Sequence, residues 1–229
     1  MDNITVVSGY WPIHSKFNHE QYNIWFNNSL QINQRYIFFC DENTKEYIRQ
    51  KRNNLETDFL EYPLDTFYSR KYYKNHWVDP MHVPSIELGM IWLEKIHLMK
   101  IAKNSNLRKT DFYVWIDAGV CTYRDNMPPS IRLNLKDINM LPHDKVCYSY
   151  VDAIIHNFAA TVIIMHHSII DKIHDMFYEY VQKYSNIYND WRCGCDQIIF
   201  NIMLADHPYL FYKLSEGYGE NLVKLYSLC

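Results

Sequence analysis

Short apolar, β-branched segments alternate with segments of helical spacing over the first 61 residues of the chain. The pattern predicts strands at residues 4–8, 35–40 and 58–61 and helices at residues 19–31 and 43–53. A β-α-β-α-β alternation is typical of a parallel sheet covered by helices. At 229 residues the chain has the length of one large domain. The sequence therefore predicts an α/β fold with a mostly parallel central sheet flanked by helices, in a single domain over residues 1–229.

The remainder of the chain continues this alternation with longer elements. Ser85 is a residue type that caps helices, and the apolar spacing after it predicts a helix that ends near Asn104. Further strands are predicted at residues 112–116, 146–150 and 158–165, and further helices at residues 169–184 and 198–205. The strand-like run at 158–165 is the longest, so we expect it in the centre of the sheet. The irregular segments 64–84 and 121–144 are expected to be loops that border a site.

Composition and charge disfavour several classes of protein. The formal net charge is −3, without a basic stripe, which argues against nucleic-acid binding. No run of about 18 apolar residues occurs, so no membrane-spanning helix is expected. The first residues lack the basic and apolar regions of a signal peptide, so we expect a cytoplasmic protein with free thiols. Only Cys193 and Cys195 of the six cysteines are close in sequence, which disfavours a structural zinc site.

An acidic residue directly follows one of the predicted buried strands. The apolar run Phe112–Ile116 ends at Asp117, and Gly119 stands two residues further on. Ligands of α/β proteins bind at the carboxyl edge of the sheet, where such a carboxylate is held. The acid can bind Mg²⁺ or Mn²⁺ through oxygen, and the glycine permits a sharp turn or the close approach of a ligand. An ordinary turn after a strand explains the same residues, so both interpretations stay open.

A single carboxylate is a poor metal site, so Asp117 needs partners if it binds a cation. The acidic residues that could join it are Asp125, Asp152, Asp196 and Glu216. Asp196 and Gln197 stand directly before the helix predicted at 198–205. There Asp196 either caps the helix or points into a pocket, where a carboxylate acts as a general base or binds acceptor hydroxyls.

The loop after the first strand and one lysine complete the candidate site. Residues 10–16 include Tyr10 and Lys16, and they occupy the place where parallel sheets usually bind nucleotides. Lys16 can meet a phosphate as a point charge. Lys95 lies inside the apolar stripe of its helix, where it either extends its ammonium to solvent or reaches a carboxylate or phosphate at the sheet edge. The glycine-rich motifs of dinucleotide-binding domains and of P-loop enzymes are absent from the sequence.

Three segments of the first half resemble the HtrL/YibB family of bacterial and giant-virus proteins, whose members look like glycosyltransferases. These segments are Thr5–Tyr10 with Ser15–Phe17, Val83–Lys95 and Asp111–Gly119. The second half is more loosely similar, through the strand Phe158–Met165 and through Asp196 with Gln197. The resemblance implies a GT-A-like, Rossmann-like fold that binds a nucleotide-sugar at the carboxyl edge of the sheet. For a viral member of such a family, the expected location is the host cytoplasm or the virion.

The resemblance also implies a D-x-D motif at the end of a central strand. Asp117 matches the first acid of that motif, whereas Gly119 stands where the second acid, usually a metal ligand, is expected. Residues and resemblance together assign donor or cofactor binding to Tyr10, Lys16, Lys95, Asp117 and Gly119, binding of Mn²⁺ or Mg²⁺ to Asp117, and catalysis to Asp196 and Gln197. The C-terminal metal-binding histidine of some GT-A families has no counterpart, and Glu216 could take its place.

The resulting prediction is a glycosyltransferase that moves a sugar from a nucleotide-sugar, with UDP-sugars favoured, to a glycan or protein acceptor. Asp196 then acts on the acceptor hydroxyl in an inverting reaction or supports the sugar in a retaining one. The alternative on the same fold is a catalytically weak or inactive domain that binds nucleotide-sugars or glycans, because the second acid is missing. A third possibility is a structural protein whose tyrosine-rich surface binds a partner. The 20 tyrosines fit a sugar pocket, such a surface, or the bias of an AT-rich genome.

Overall fold

The computed structural model describes residues 2–229. Within them, seven strands form one sheet in the order β3-β2-β1-β4-β6-β5-β7. The strands are β1 (Ile4–Tyr10), β2 (Tyr36–Cys40), β3 (Thr57–Glu61), β4 (Phe112–Ile116), β5 (Val146–Tyr150), β6 (Phe158–His166) and β7 (Phe211–Glu216). Only β6 is antiparallel to its neighbours, and every other pairing in the sheet is parallel. The predicted α/β fold with a mostly parallel central sheet is confirmed. Strand β6 is an interior strand, as expected of a long apolar run, but β4 stands at the centre of the sheet.

Helices cover both faces of the sheet. They are α1 (His19–Ser29), α2 (Glu42–Arg52), α3 (Ile86–Asn104), α4 (Ile170–Ser185), α5 (Asp196–Asp206) and α6 (Glu220–Leu228). One buried core lies between the sheet and α3, α4 and α5, and a second lies between the sheet and α1, α2 and α6. Successive residues of β4 alternate between these cores, which explains why the strand is apolar at every position. None of the helices within the described residues is long and apolar enough to cross a membrane.

Helix α3 begins where the sequence predicted. The Ser85 side chain accepts a hydrogen bond from the N–H of Leu88 at 3.2 Å, the geometry of a helix N-cap. A buried acid in the middle of α3, Glu94, holds the irregular segment against the helix. Glu94 accepts hydrogen bonds from the backbone N–H groups of Tyr68 and Ser69 at 2.9 Å and 2.7 Å. The segment 64–84 is therefore fixed on the flank of α3, and it contains two short 3-10 turns.

The end of the chain differs from the prediction. The sequence indicated no element after residue 205, but β7 and α6 lie there, so α5 is not the last helix. Strand β7 is at the edge of the sheet, and most of its side chains are exposed or half-buried. An edge strand of this kind lacks the apolar run that identified the interior strands. Helix α6 packs on the sheet face that it shares with α1 and α2.

Candidate functional site

Asp117 leaves the sheet directly after β4, at the carboxyl end of the parallel strands. Its backbone N–H donates to the carbonyl of Thr161 on β6 at 2.9 Å. Its Oδ1 accepts a hydrogen bond from the indole Nε1 of Trp115 at 2.7 Å. These bonds fix the carboxylate while 25% of the side chain stays exposed. Asp117 is therefore an oriented acid at the edge of the sheet where ligands of α/β proteins bind.

Lys95 joins Asp117 to Asp196 at this edge. Its Nζ lies 2.9 Å from Asp117 Oδ1 and 2.8 Å from Asp196 Oδ2. The same Nζ donates to the carbonyl of Ala160 at 3.1 Å. The contact with Ala160 is a hydrogen bond and the two contacts with the carboxylates are ion pairs, so three oxygens surround the ammonium. Of the two interpretations of Lys95, the structure shows the one in which it reaches carboxylates, because its side chain is only 4% exposed.

Burial and charge act against each other at these three groups. Burial disfavours the charged form of Lys95, but Asp117 and Asp196 outweigh that effect and hold the pKa of Lys95 above its usual value. Burial raises the pKa of Asp196 above its usual value, although the charge of Lys95 opposes the shift. A carboxyl group with a raised pKa is closer to the range in which a general base works efficiently.

Asp196 and Gln197 form the first turn of α5. Asp196 Oδ1 accepts the backbone N–H of Gln197 at 2.8 Å, and Oδ2 pairs with Lys95. The N-cap of α5 is Cys195, and no side chain caps the helix, so Asp196 is not its cap. Gln197 Oε1 accepts the N–H of Ala160 at 3.2 Å, and its Nε2 contacts His156 Nε2 at 3.1 Å. Burial lowers the pKa of His156, which favours the neutral ring that can accept from the amide. The Gln197 side chain is thereby held between β6 and the loop that precedes it.

Two adjoining pockets open at the Lys95–Asp117–Asp196 cluster, with volumes of about 560 Å³ and 360 Å³. We call them the first and the second pocket. The first pocket is bordered by the loop after β1 and by α3, and the second by α5 and the segment after β4. Residues that line both pockets include Lys16, Tyr22, Trp92, Lys95 and Asp117. The shared residues show that the pockets form one continuous cleft.

All seven predicted site residues line this cleft. Tyr10 lines the first pocket, Gly119, Asp196 and Gln197 line the second, and Lys16, Lys95 and Asp117 line both. Their functional roles stay predictions.

The sequence interpretation missed other residues of the cleft. Leu88, Ile91 and Trp92 belong to the apolar spacing that predicted α3, but they are half-buried and line the first pocket. Arg124 and Tyr218 line the second pocket and were not predicted. The segment 64–84, expected as a lid, contributes no residue to either pocket. The other loop that was expected to border the site, residues 121–144, contributes only Cys121 and Arg124 to the lining of the second pocket.

The carboxylates of the cleft do not fit a divalent cation held by the protein. Asp125, Asp152 and Glu216 line neither pocket, and Glu216 pairs with Lys213 on β7 at 2.8 Å. Within residues 2–229, no group of three or more His, Cys, Asp or Glu side chains is placed to hold a metal ion. Mg²⁺ takes six oxygen ligands in near-octahedral geometry, and proteins usually supply one or two carboxylates while water and substrate phosphates supply the rest. Lys95, the indole of Trp115 and the backbone N–H of Gln197 lie against Asp117 Oδ1 and both oxygens of Asp196, and Oδ2 of Asp117 has no such contact within residues 2–229.

Gly119 lies under an aromatic ring of α1. A Cβ atom at Gly119 would stand 3.0 Å from Cζ and 3.1 Å from Cε2 of Tyr22. Tyr22 in turn stacks on Tyr10, with ring centroids 5.9 Å apart. Gly119 lies in a turn after β4, as one of the two interpretations predicted, although its φ is not positive. The group that approaches it closely is the Tyr22 ring and not a ligand. The place where a D-x-D motif has its second acid is therefore filled by Tyr22.

We expect Gly119→Asp to destabilise the protein by about 1–3 kcal/mol, the usual cost of overpacking a tight site. The new side chain would meet the Tyr22 ring and would add a second negative charge beside Asp117. Urea unfolding measures the difference. In a Tyr22→Ala background the same substitution should cost less, because the ring is gone. An equal cost in both backgrounds would show that Tyr22 is not the obstacle.

The sequence matches no family model and no curated protein. In structure, 119 solved chains are similar. One is the crystal structure of mouse xyloside xylosyltransferase 1 in its apo form, with a TM-score of 0.53 at 12% identity. The match covers 93% of this chain and 84% of the mouse chain.

The fold is that of a GT-A-type glycosyltransferase. At this identity the likeness concerns the fold, and the HtrL/YibB resemblance stays a prediction.

Proposed function

We propose that the protein transfers a sugar from a nucleotide-sugar, with UDP-sugars favoured, to a hydroxyl group of a glycan or protein. The observation that carries this proposal is the Lys95–Asp117–Asp196 cluster at the carboxyl edge of a glycosyltransferase-like fold. The cluster stands where two pockets meet, as a reaction between a donor and an acceptor requires.

The first pocket suits the donor. Its volume of about 560 Å³ lies within the usual range for small-molecule sites. Tyr10, Trp92 and Ile13 give it apolar walls for a base and a ribose. The free Oδ2 of Asp117 can accept a hydrogen bond from a hydroxyl of the ribose or of the transferred sugar. The donor is then oriented with its sugar towards the second pocket.

The second pocket suits the acceptor and the chemistry. Asp196 takes the proton of the acceptor hydroxyl, whose oxygen attacks the anomeric carbon. The bond between that carbon and the diphosphate oxygen breaks, and the nucleoside diphosphate leaves with the bonding electrons. Gln197 keeps one amide N–H beyond its contact with His156, and this N–H can orient a hydroxyl group. If the reaction inverts the configuration of the anomeric carbon, Asp196 acts as this base. If the reaction retains the configuration, Asp196 holds the sugar instead.

A thermal-shift screen of UDP- and GDP-sugars tests the proposal. A ligand at one hundred times its Kd stabilises a protein by about 2.7 kcal/mol, which corresponds to a rise of roughly 5–10 °C in Tm for a domain of this size. We expect at least one donor to produce that rise. If no donor raises Tm, the proposal is wrong, and a protein with a partner-binding tyrosine-rich surface becomes the better interpretation.

Asp117→Asn should raise the Kd of the donor about 10- to 100-fold. A hydrogen bond to a charged acceptor contributes about 1.5–3 kcal/mol, and the amide cannot replace the carboxylate beside Lys95. Titration calorimetry with the donor from the screen measures the change. Asp125→Asn is the matched control, because Asp125 was also a candidate from the sequence but lines neither pocket. Equal affinity of the two variants would remove Asp117 from the donor site.

A domain that binds the nucleotide-sugar without transferring it is the second candidate. The engagement of both carboxylates by Lys95 favours it, because a base must be free to accept a proton. This candidate predicts the same rise in Tm but no release of nucleoside diphosphate. Chromatographic detection of free UDP or GDP separates the two functions.

A further inference from the structure

We propose that Lys16 and Arg124 bind the diphosphate of the donor without a divalent cation. In this arrangement Lys95 takes the structural place of that cation, between Asp117 and Asp196. The inference rests on the proposed function and concerns the part of the same cleft that receives the diphosphate.

Lys95 has the position of a cation, and its buried ammonium is already surrounded by three oxygens of the protein. A bound metal ion would link the two acids through its positive charge, and the ammonium does this with contacts of 2.9 Å and 2.8 Å. The ammonium also donates to the carbonyl of Ala160. Lys95 is therefore a positioning residue, and the diphosphate must find its N–H donors elsewhere in the cleft.

Lys16 stands at the boundary between the two pockets. It lines both of them, and its Nζ lies 5.0 Å from the centroid of the Trp92 ring. Contact with the ring face orients an ammonium without neutralising its charge. No carboxylate of residues 2–229 forms an ion pair with Lys16. Its charge is thus available at the point where a diphosphate would cross from one pocket to the other.

Arg124 also lines the second pocket, and aromatic rings orient its side chain. Its guanidinium carbon lies 4.0 Å from the centroid of the Trp25 ring and 5.0 Å from that of Phe17. The backbone is held as well, because Asn28 Nδ2 donates to the carbonyl of Tyr123 at 2.9 Å. Arg124 forms no ion pair within the described residues. A stacked guanidinium presents N–H donors along its edge, the geometry that suits phosphate oxygens.

The charges of the second pocket agree with this assignment. The cluster of Lys95, Asp117 and Asp196 carries one more carboxylate than cation, so by itself it would repel a diphosphate. Lys16 and Arg124 reverse the sign, since the pocket then has one more cation than carboxylates. The attraction for a diphosphate depends on these two side chains, and it needs no metal ion.

Titration calorimetry with UDP, GDP and the corresponding nucleosides, in EDTA and in Mn²⁺, tests the proposal. For the nucleoside diphosphate that binds, we expect the Kd in EDTA and the Kd in Mn²⁺ to agree within about threefold. Lys16→Met and Arg124→Gln should each weaken its binding about 10- to 100-fold, as expected for a charge-assisted hydrogen bond. The nucleoside should bind the variants and the wild type equally. Arg124→Lys should retain more affinity than Arg124→Gln, because it keeps the charge.

Two variants of charged surface residues serve as matched controls. Lys172→Met and Arg70→Gln change exposed residues that line neither pocket and should leave every Kd unchanged. A diphosphate that binds only with Mn²⁺, or variants that bind it as the wild type does, would overturn the inference and leave the proposed function standing. If neither UDP nor GDP binds under any condition, the proposed function fails, and this inference fails with it.

Discussion

Lys95→Met is expected to lower the free energy of unfolding by about 3–5 kcal/mol, the usual cost of removing one partner from a buried ion pair. Methionine fills a similar volume, so the loss comes mainly from charge rather than from a cavity. Asp196 would stay buried without a counter-ion, and Asp117 Oδ1 would keep only its hydrogen bond from Trp115. Urea unfolding measures the effect, and Lys172→Met on the exposed side of α4 is the control, with an expected change below about 0.5 kcal/mol.

The stability lost in Lys95→Met should depend on pH and should be larger at high pH. Burial already raises the pKa of Asp196, and the loss of the ammonium would raise it further. A carboxyl group whose pKa is raised by folding stabilises the folded state below its unfolded pKa, and this stability is lost as the pH rises through its folded pKa. Lys95→Met should therefore be closer to the wild type at acidic pH than at pH 8. The double variant Lys95→Met/Asp196→Asn should be more stable than the single variant at pH 8, and a pH-independent loss would contradict the account.

Asp196→Asn should lower the rate of transfer about 100- to 10,000-fold, the range that general-base catalysis supplies. The amide has the same shape and can still contact Lys95, so the Kd of the nucleotide should change little. Wild-type transfer should increase as the pH rises through the raised pKa of Asp196, because the base acts in its charged form. The variant should lack that dependence.

Transfer rates and nucleotide affinities measured on the same preparations separate catalysis from binding. Asp152→Asn, at an exposed position outside both pockets, is the control and should transfer at the wild-type rate. If Asp196→Asn transfers sugar at the wild-type rate, Asp196 is not the base, and its contact with Lys95 has only a structural role.

Strong local signals made much of the fold predictable. The bounds of β4 agree with the prediction, because five apolar residues end abruptly at Asp117. Helix α3 begins after Ser85, because serine is a common N-cap and the apolar spacing continues to Asn104. These two elements place Lys95 and Asp117, so the centre of the candidate site followed from the sequence.

Other parts of the fold depend on contacts that are distant in sequence. The antiparallel direction of β6 follows from the short connection after β5, at residues 151–157, which is too short for a parallel crossover. Loop length could have given this signal. Strand β7 has no comparable signal, because its exposed edge position leaves it without an apolar run. The ring of Tyr22 over Gly119 and the stacking of Arg124 on Trp25 bring separate segments together, and neither leaves a local pattern.

The release of nucleoside diphosphate from UDP- and GDP-sugars, followed by chromatography, tests the central claim most directly. We expect the wild type to release UDP or GDP from at least one donor, in EDTA as well as in Mn²⁺. Asp196→Asn should bind the same donor but release the nucleoside diphosphate at most about one hundredth as fast. No release from any donor, or equal release by the wild type and Asp196→Asn, would contradict the claim that this cleft transfers sugars.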